Sequence, residues 1–265
     1  MGSVMQGMGM ETPLETPIAD LEGKDASGLV ERIDPEKAPR GVMAVHLARY
    51  DFAKSFAEGK SVLDVACGAG YGTAVIADVA RRVVGMDRSG TAVRYARTRY
   101  RRANTAFLVG DAGGLPFPEA SFESVVSFET IEHLPDIPRY LEEIRRVLRP
   151  GGVFVVSTPR VRKTTTMPAN PHHTIEYSAQ DFEALLGQFF ARVDLYGQVR
   201  VQNGILRWLQ SVDVLGLRRF VPAGARRGIQ RSLQTAPFAE MDVSDQRIVP
   251  GDPSRAEYVL AVCAG

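Results

Sequence analysis

The chain has 265 residues, of which 45% are hydrophobic, and its 32 basic residues nearly balance 31 acidic ones. This length supports one large core with a small appendage, and the balanced charge argues against recruitment of nucleic acid or membrane by a global field. Two distant cysteines, the lack of an apolar run of about 18 residues and a start without signal-peptide features predict a cytoplasmic protein with no membrane span.

Short apolar runs alternate with helical segments from residue 59 onward. The runs predict seven strands, at residues 60–66, 82–86, 106–110, 121–128, 153–157, 193–199 and 257–263. Ser89 and Ser178 are placed to cap two of the helices, and a Pro-Gly-Gly break follows the helix that ends at Leu148. Repeated strand–helix–strand units of this length predict an α/β fold with a Rossmann-like, doubly wound sheet.

The sequence predicts that the chain has three parts. Residues 1–38 form a flexible N-terminal segment, residues 39–199 and 252–265 form the α/β domain, and residues 200–251 form an insertion. Residues 200–234 hold seven arginines, one acid and an apolar stripe at helical spacing, namely Ile205, Trp208, Leu209 and Val212. The insertion is therefore predicted to be a helical cap, and the alternatives for its basic face are a phosphate-bearing substrate, a membrane surface or a homodimer partner.

A glycine-rich loop follows the first predicted strand. The strand ends in Asp64 and Val65, and the loop that begins at Ala66 carries glycines at every second position, namely Gly68, Gly70 and Gly72. Glycines directly after a strand let a ligand approach the backbone and the amide groups of the next helix. A dinucleotide site would use a glycine where Thr73 stands, and the carboxylate of Asp64 would repel a pyrophosphate but attract an ammonium or sulfonium group.

The next two strands also end in carboxylates. Asp87 ends the second strand, where an acid can accept hydrogen bonds from ribose hydroxyls or can merely cap the next helix. Asp111 follows the third strand beside the small Ala112, where it can accept from an adenine amino group or can serve as a turn residue. The loop and these carboxylates predict a nucleoside site at the carboxyl edge of the sheet.

Four motifs in this region resemble those of a known family. VLDVACGAGYG, VVGMD, VGDAGGLPFPEASFESVVS and LRPGGVFVVSTP, within residues 60–158, resemble the successive motifs of class I S-adenosylmethionine-dependent methyltransferases of type 11. The resemblance implies a seven-stranded sheet in the order 3-2-1-4-5-7-6 with strand 7 antiparallel, and a helix at residues 42–52 that covers the donor and packs His46. It also implies that S-adenosyl-L-methionine contacts nine residues: Asp64, Ala66, Gly68, Gly70, Asp87, Arg88, Asp111, Ala112 and Phe128.

Two groups of acidic and histidine residues indicate the acceptor site. The first, Glu129-Thr130-Ile131-Glu132-His133, follows strand four, and on a helix its two acids and His133 would share one face. The second runs from His172 to Tyr177 in a long polar segment, residues 160–177, which we call the lid. Two neighbouring carboxylates repel each other unless a cation or a proton lies between them.

The spacing of these acidic and histidine residues also resembles a pattern known from metal-dependent methyltransferases. ExxEH followed by HxxE and an aromatic residue resembles the metal-binding pattern of small-RNA 3′-end 2′-O-methyltransferases, and ExxEH alone resembles the ubiquinone-biosynthesis O-methyltransferases. This resemblance implies that Glu129, Glu132, His133 and His173 bind Mg²⁺ or Mn²⁺. Without a metal these are hydrogen-bonded loop residues, and His133 or His173 is the predicted general base, because imidazole titrates near neutral pH.

The sequence as a whole predicts an enzyme that methylates a hydroxyl group of a small molecule, such as a sugar or another secondary metabolite. Metal-independent N-methylation is the first alternative, followed by RNA 3′-end methylation and by a non-catalytic donor-binding subunit. The sequence has no RNA-binding motif with interleaved aromatic residues, so no nucleic-acid partner is expected.

Overall fold

A computed structural model describes residues 33–201, 241–251 and 256–265. Its strands are β1 (Ser61–Val65), β2 (Arg82–Asp87), β3 (Thr105–Val109), β4 (Phe122–Phe128), β5 (Leu148–Pro159), β6 (Arg192–Arg200), β7 (Gln246–Pro250) and β8 (Tyr258–Ala264). They form one sheet in the order β3-β2-β1-β4-β5-β8-β6-β7. The five strands from β3 to β5 are parallel, whereas β8 is antiparallel to both its neighbours and β7 is antiparallel to β6.

The predicted fold class and strand order are confirmed, with one additional strand. β7 lies within the segment 200–251, which the sequence placed outside the sheet, and it pairs with β6 from Arg200↔Gln246 to Tyr196↔Pro250. It is an edge strand, where a proline is tolerated because the outer N–H groups have no ladder partner. The predicted N-terminal segment up to residue 32 and the apolar stripe from Ile205 to Val212 lie outside the described residues.

Five helices within the described residues flank the sheet: α1 (Arg40–Ala57), α2 (Tyr71–Ile76), α3 (Gly90–Arg99), α4 (Ile137–Val147) and α5 (Ala179–Leu186). Both predicted caps are present. The hydroxyl of Ser89 accepts from the N–H of Ala92 at 3.3 Å, and the hydroxyl of Ser178 accepts from the N–H of Asp181 at 3.1 Å. These caps begin α3 and α5 where the sequence indicated.

The predicted break between α4 and the next strand lies inside β5 instead. α4 ends at Val147 and β5 begins at Leu148. The pairing with β4 shifts from Phe122↔Leu148 to Ser124↔Val153, so the chain between these pairs is an irregularity in the strand. Gly151 accommodates it with a φ of 73°, a backbone conformation that glycine adopts without a steric penalty.

Two apolar clusters pack on opposite faces of the sheet. One contains residues of α4 and α5, the other residues of α1 and α2, and neighbouring positions of β1 alternate between them, with Leu63 in the first and Val62 in the second. Because both faces are covered, the carboxyl ends of the parallel strands are the part of the sheet left for ligands. No helix within the described residues has the length and apolar character needed to cross a bilayer.

Candidate active site

A cavity of about 960 Å³ lies at the carboxyl ends of the central strands, a volume typical of small-molecule sites. Its wall is formed by the loops after β1, β2, β3 and β4, by α1 and by the lid. Seven of the nine predicted donor residues line it, namely Ala66, Gly68, Asp87, Arg88, Asp111, Ala112 and Phe128. All four predicted metal ligands line it as well, namely Glu129, Glu132, His133 and His173.

The loop after β1 combines an open backbone with close packing. Gly68 has a φ of 54°, lines the cavity, and a Cβ added there would have no heavy atom within 4 Å, so a ligand can approach its backbone. A Cβ at Gly70 would lie 2.6 Å from the Cβ of Ala96 and 2.9 Å from the ring of Phe107. Gly70 therefore lets the loop pack against α3 and β3, and it does not line the cavity.

Asp87 connects this loop to the start of α3. Its Oδ2 accepts from the N–H of Gly68 at 2.9 Å, and its Oδ1 accepts from the N–H of Ser89 at 2.8 Å. Each carboxylate oxygen has a second lone pair, so the buried side chain can also accept from a ribose hydroxyl at the cavity wall. The open position at Gly68 and this carboxylate fit the nucleoside of S-adenosylmethionine.

Asp64 lies beneath the loop and does not line the cavity, unlike the direct donor contact predicted for it. Its carboxylate is fully buried, accepting from the hydroxyl of Thr73 at 2.6 Å and from that of Tyr50 at 3.3 Å. Burial raises the pKa of Asp64 to about 7. Its observed contacts position the start of α2 and the side chain of Tyr50.

The segment after β3 forms the opposite wall. Asp111 is exposed, and its Oδ1 accepts from the N–H of Gly113 at 2.7 Å, the contact expected of a turn residue. It also lines the cavity together with the half-buried Ala112. Arg88, at the end of β2, is exposed on the same wall.

α1 closes the cavity with aromatic side chains. Tyr50 packs edge-to-face on Phe128 with ring centroids 4.9 Å apart, and the hydroxyl of Tyr71 lies 3.1 Å from Nδ1 of His46. Burial lowers the pKa of His46 well below its usual range, so this ring is neutral. The sequence predicted that His46 packs, but it also lines the cavity. So do Tyr50, which lies in the helix predicted to cover the donor, and Tyr71, which had no predicted role.

The acceptor end contains two acids in different surroundings. Glu129 has a φ of 52° directly after β4, and its Oε1 accepts from the hydroxyl of Ser157 at 2.7 Å. Glu132 is fully buried, with Oε2 accepting from the hydroxyl of Thr158 at 3.1 Å and Oε1 without a hydrogen-bond partner. Burial, and then the nearby charge of Glu129, hold the pKa of Glu132 well above its usual range.

The lid is hydrogen-bonded to the short 3₁₀ turn Ile131–His133. The carbonyl oxygen of Glu132 accepts from the backbone N–H of Thr174 at 2.7 Å and from its hydroxyl at 3.0 Å. Nδ1 of His133 lies 3.0 Å from the carbonyl oxygen of His172. Because a carbonyl only accepts, Nδ1 carries a proton, so the neutral form of this ring has its lone pair at Nε2.

His173 is oriented by two residues of the lid. Its Nδ1 lies 2.8 Å from Oε1 of Glu176, and its Nε2 lies 2.9 Å from Nδ2 of Asn170. Oδ1 of Asn170 accepts from the N–H of His172 at 3.0 Å, which makes Nδ2 the donor to His173. Asn170 had no predicted role, and no periodic pattern in the lid marks it.

The structure brings three of the four predicted metal ligands together. Ligand atoms of Glu132, His133 and His173 all lie within 4.8 Å of one another. Glu129, which bonds Ser157, is not part of this group. The unpartnered Oε1 of the buried Glu132 fits a cation or a proton-donating ligand, because an unsatisfied buried carboxylate oxygen is costly.

Comparison with known proteins places this geometry in a family. Residues 63–156 match the family described as a methyltransferase domain. A protein of Mycolicibacterium smegmatis named a probable S-adenosylmethionine-dependent methyltransferase is 47% identical over 132 residues, which is 48% of this chain and 50% of that protein. The chain thus spans about half the length of this relative.

Two further proteins are similar over a larger share of the chain. A fatty-acid O-methyltransferase of Mycolicibacterium smegmatis is 36% identical over 178 residues, 63% of this chain and 65% of that protein. A solved structure from Thermotoga maritima, titled a methyltransferase and possible histamine N-methyltransferase, shares the fold, with a TM-score of 0.57 and 15% identity over 84% of this chain and 92% of that one. The motifs, the relatives and the fold agree, and the chain carries a class I S-adenosylmethionine-dependent methyltransferase domain.

Proposed function

We propose that the protein transfers the methyl group of S-adenosylmethionine to a hydroxyl group of a small molecule. The observation that carries the proposal is the tautomer of His133, whose Nδ1 is held by the carbonyl oxygen of His172. The neutral form of this ring therefore has its lone pair at Nε2, on a residue that lines the cavity. A group that bears a proton, such as a hydroxyl, is the natural partner of such a lone pair.

S-adenosylmethionine supplies an activated methyl group bound to a sulfonium leaving group. The acceptor oxygen forms a bond to the methyl carbon as the carbon–sulfur bond breaks, and the electron pair of that bond remains on sulfur. The hydroxyl proton goes to Nε2 of His133. It could instead go to Nε2 of His173, once the hydrogen bond from Asn170 to that nitrogen is broken. The protein contributes alignment of the two reactants and removal of this proton.

A carboxylic acid is the second candidate acceptor, because one similar protein is named a fatty-acid O-methyltransferase. A carboxylate is already ionised at neutral pH and would need hydrogen-bond donors in place of a base. Here Glu129 adds an acidic group to the cavity wall, and the neutral form of His133 would offer a lone pair. Both features favour a hydroxyl over a carboxylate.

The test uses acceptors that share one carbon skeleton and differ only in their terminal group: an alcohol, the matching carboxylic acid and the matching amine. Formation of S-adenosylhomocysteine and of methylated product should occur with the alcohol. Methylation of the acid alone or of the amine alone would contradict the proposal. His133→Asn should slow turnover roughly 100-fold or more, as loss of a general base does, with donor affinity unchanged in calorimetry.

As an alternative to a histidine base, we also propose that a divalent cation, held by Glu132, His133 and His173, assists the transfer. In that case Nε2 of His133 would bind the cation instead of accepting the hydroxyl proton. Bound there, the cation would stabilise the alkoxide form of the acceptor. The support is the unpartnered Oε1 of Glu132 and the mutual distances of the three ligand atoms. His173 could bind it through Nε2 once Asn170 releases that nitrogen, and Glu176 would then orient the ring through Nδ1.

Calorimetric titration with Mn²⁺, without donor, tests this second proposal. Glu132→Gln keeps the shape but removes the charge, and should lower Mn²⁺ affinity by roughly 10-fold or more. Glu129→Gln is the matched control and should have less effect, because Glu129 bonds Ser157 and lies outside the cluster. Full turnover in excess chelator, or equal losses in the two variants, would contradict it. The homodimer and the cytoplasmic location stay predictions, and RNA 3′-end methylation stays a less favoured alternative.

A further inference from the structure

The surface around α3 is strongly positive, although the protein as a whole is nearly neutral. Residues 81–102 contain eight arginines and a single acid, Asp87. All eight arginines are exposed, whereas Asp87 is buried. The whole chain has a net charge of only +1, so this stretch is a strong local excess.

A second cavity of about 460 Å³ lies beside this excess, between α1, α2 and the end of α3. We call it the arginine groove, and its residues are Pro35, Met43, Leu47, Tyr71, Ala74, Val75, Asp78, Arg99, Tyr100, Arg101 and Arg102. Its lining thus combines apolar side chains of α1 and α2 with three arginines from the chain at the end of α3.

Much of the positive charge in the groove is not balanced. Asp78, the acid among the groove residues, forms an ion pair with Arg102. The guanidinium of Arg99 lies 5.5 Å from the ring centroid of Tyr100, and no ion pair joins Arg99 or Arg101 to another described residue. Arg99 and Arg101 are therefore presented beside an apolar lining without a direct ion pair among the described residues. The charges of Glu36 and Asp34 also act at Tyr100 and partly offset that of Arg99.

The preceding turns of α3 extend the same surface. Arg94 donates to the hydroxyl of Thr91, and Arg97 donates to the carbonyl oxygen of Phe107. Both partners are neutral, so these two guanidinium groups keep their charge uncompensated. Exposed arginines that reach from the helix to the groove attract polyanions over about a Debye length, roughly 8 Å at physiological salt.

We infer that the arginine groove docks the protein on the surface of a membrane that contains anionic phospholipids. Lipid phosphates would meet Arg99 and Arg101, and the apolar lining formed by Met43, Leu47 and Val75 would receive the adjoining apolar part of the lipid. This combination favours an amphiphile over a nucleic acid, which would place sugars and phosphates against that lining.

The position of the groove adds a functional reason for such docking. Tyr71 lines both the groove and the main cavity, so the two adjoin at this residue. A membrane held at the groove would bring its lipids close to the methyl-transfer site. The inference does not depend on the acceptor proposed above, because binding to vesicles is measured without any methyl transfer.

Co-sedimentation with vesicles of phosphatidylcholine alone, or mixed with phosphatidylglycerol, tests the inference. The protein should bind only the mixed vesicles, and binding should weaken as salt is raised. The double variant Arg99→Gln with Arg101→Gln should lose roughly 30-fold in affinity, at about 1 kcal/mol for each arginine near an anionic surface. Arg145→Gln with Arg192→Gln removes two exposed arginines elsewhere and should bind as the parent does.

Other outcomes would overturn the inference. Equal binding to phosphatidylcholine alone, or equal losses in the two double variants, would exclude a specific anionic-lipid surface at the groove. If inorganic phosphate displaced the protein from the vesicles at a concentration equal to that of the lipid phosphate, the groove would be a site for a free anion and not for a membrane. Tighter binding of a mixed-sequence DNA duplex, lost in the same variant, would assign the surface to nucleic acid. Donor affinity, measured for every variant, shows that each is folded.

Discussion

Asp87 both holds the donor loop and lines the cavity. Asp87→Ala removes an ionised acceptor from the wall, so we expect affinity for S-adenosylmethionine to fall by about 2 kcal/mol or more, measured by calorimetry. Asp194→Ala is the control, because it removes a partly exposed carboxylate that pairs with Arg192 on β6, and it should leave the affinity unchanged. Unaltered affinity in a folded Asp87→Ala protein would show that this carboxylate does not contact the donor.

Gly68 and Gly59 allow a paired test of the open backbone. Both have positive φ, 54° and 67°, and neither has a heavy atom within 4 Å of an added Cβ. Valine should therefore strain the backbone similarly at both positions, but only at Gly68 would the side chain enter the cavity. We expect donor binding to be lost in Gly68→Val and kept in Gly59→Val, measured by calorimetry. Equal donor affinities would show that the ligand does not approach this loop.

Asp64 shows what the residue pattern could not reveal. The carboxylate at the end of the first strand was visible in the sequence, and so was its closeness to the loop. β1 is buried at all five positions, so its apolar run does not indicate which residues point to which face. Asp64 alternates with Leu63 and Val65, which lie on the α4 and α5 side, and its side chain points toward α1 and α2 to meet Tyr50 and Thr73.

At the scale of elements, the packing of α1 on α2 depends on the absence of a side chain. A Cβ at Gly72 would lie 1.9 Å from the ring of Tyr50, whereas a Cβ at Gly90 would meet only the flexible end of Arg94, at 3.4 Å. Gly72→Ala should lower the free energy of unfolding by about 1–3 kcal/mol, measured in urea, because Tyr50 must move. Gly90→Ala should leave it unchanged or raise it by up to about 1 kcal/mol.

A shift of Tyr50 should also be felt at the cavity, which it lines. We therefore expect Gly72→Ala, but not Gly90→Ala, to weaken donor affinity as well as stability. If the two alanine variants are equally stable, the close contact between these helices is not a constraint on the fold.

Much of this architecture could be predicted, for identifiable reasons. Buried parallel strands are continuous apolar runs, and Ser89 and Ser178 mark helix starts, so the elements of the parallel half are visible in sequence. The strand order came from the family motifs. β7 was missed because five residues that end in Pro250 give no periodicity. The lid contacts that orient His173 were missed because they depend on tertiary folding of an aperiodic segment.

At the scale of the whole molecule, stability should depend on pH through Asp64. Its pKa rises from an ordinary value of 3.8 to about 7 on folding, so between these values the folded state binds a proton that the unfolded state has lost. This group's contribution is full below about pH 4 and is lost as pH rises to about 7, on the order of 4 kcal/mol over that window.

Urea unfolding of the parent and of Asp64→Asn at several pH values, without donor, measures this contribution. The amide cannot ionise, so the stability of the variant relative to the parent should rise between pH 4 and pH 7. Parallel pH profiles for the two proteins would show that Asp64 is ionised in the folded state.

The position of β8 has a consequence for how the chain is made. β8 follows the other seven strands in the sequence, yet it lies between β5 and β6. Until residues 258–264 have been synthesised, no strand joins β5 to the β6–β7 pair, although α1 contacts β6 through Arg49 and Gln198, and β5 and β6 expose unpaired backbone edges. Such edges pair readily with other chains. Nascent protein is therefore exposed to aggregation until β8 is inserted, however stable the completed sheet, and we expect chaperones to raise cellular yield during that interval.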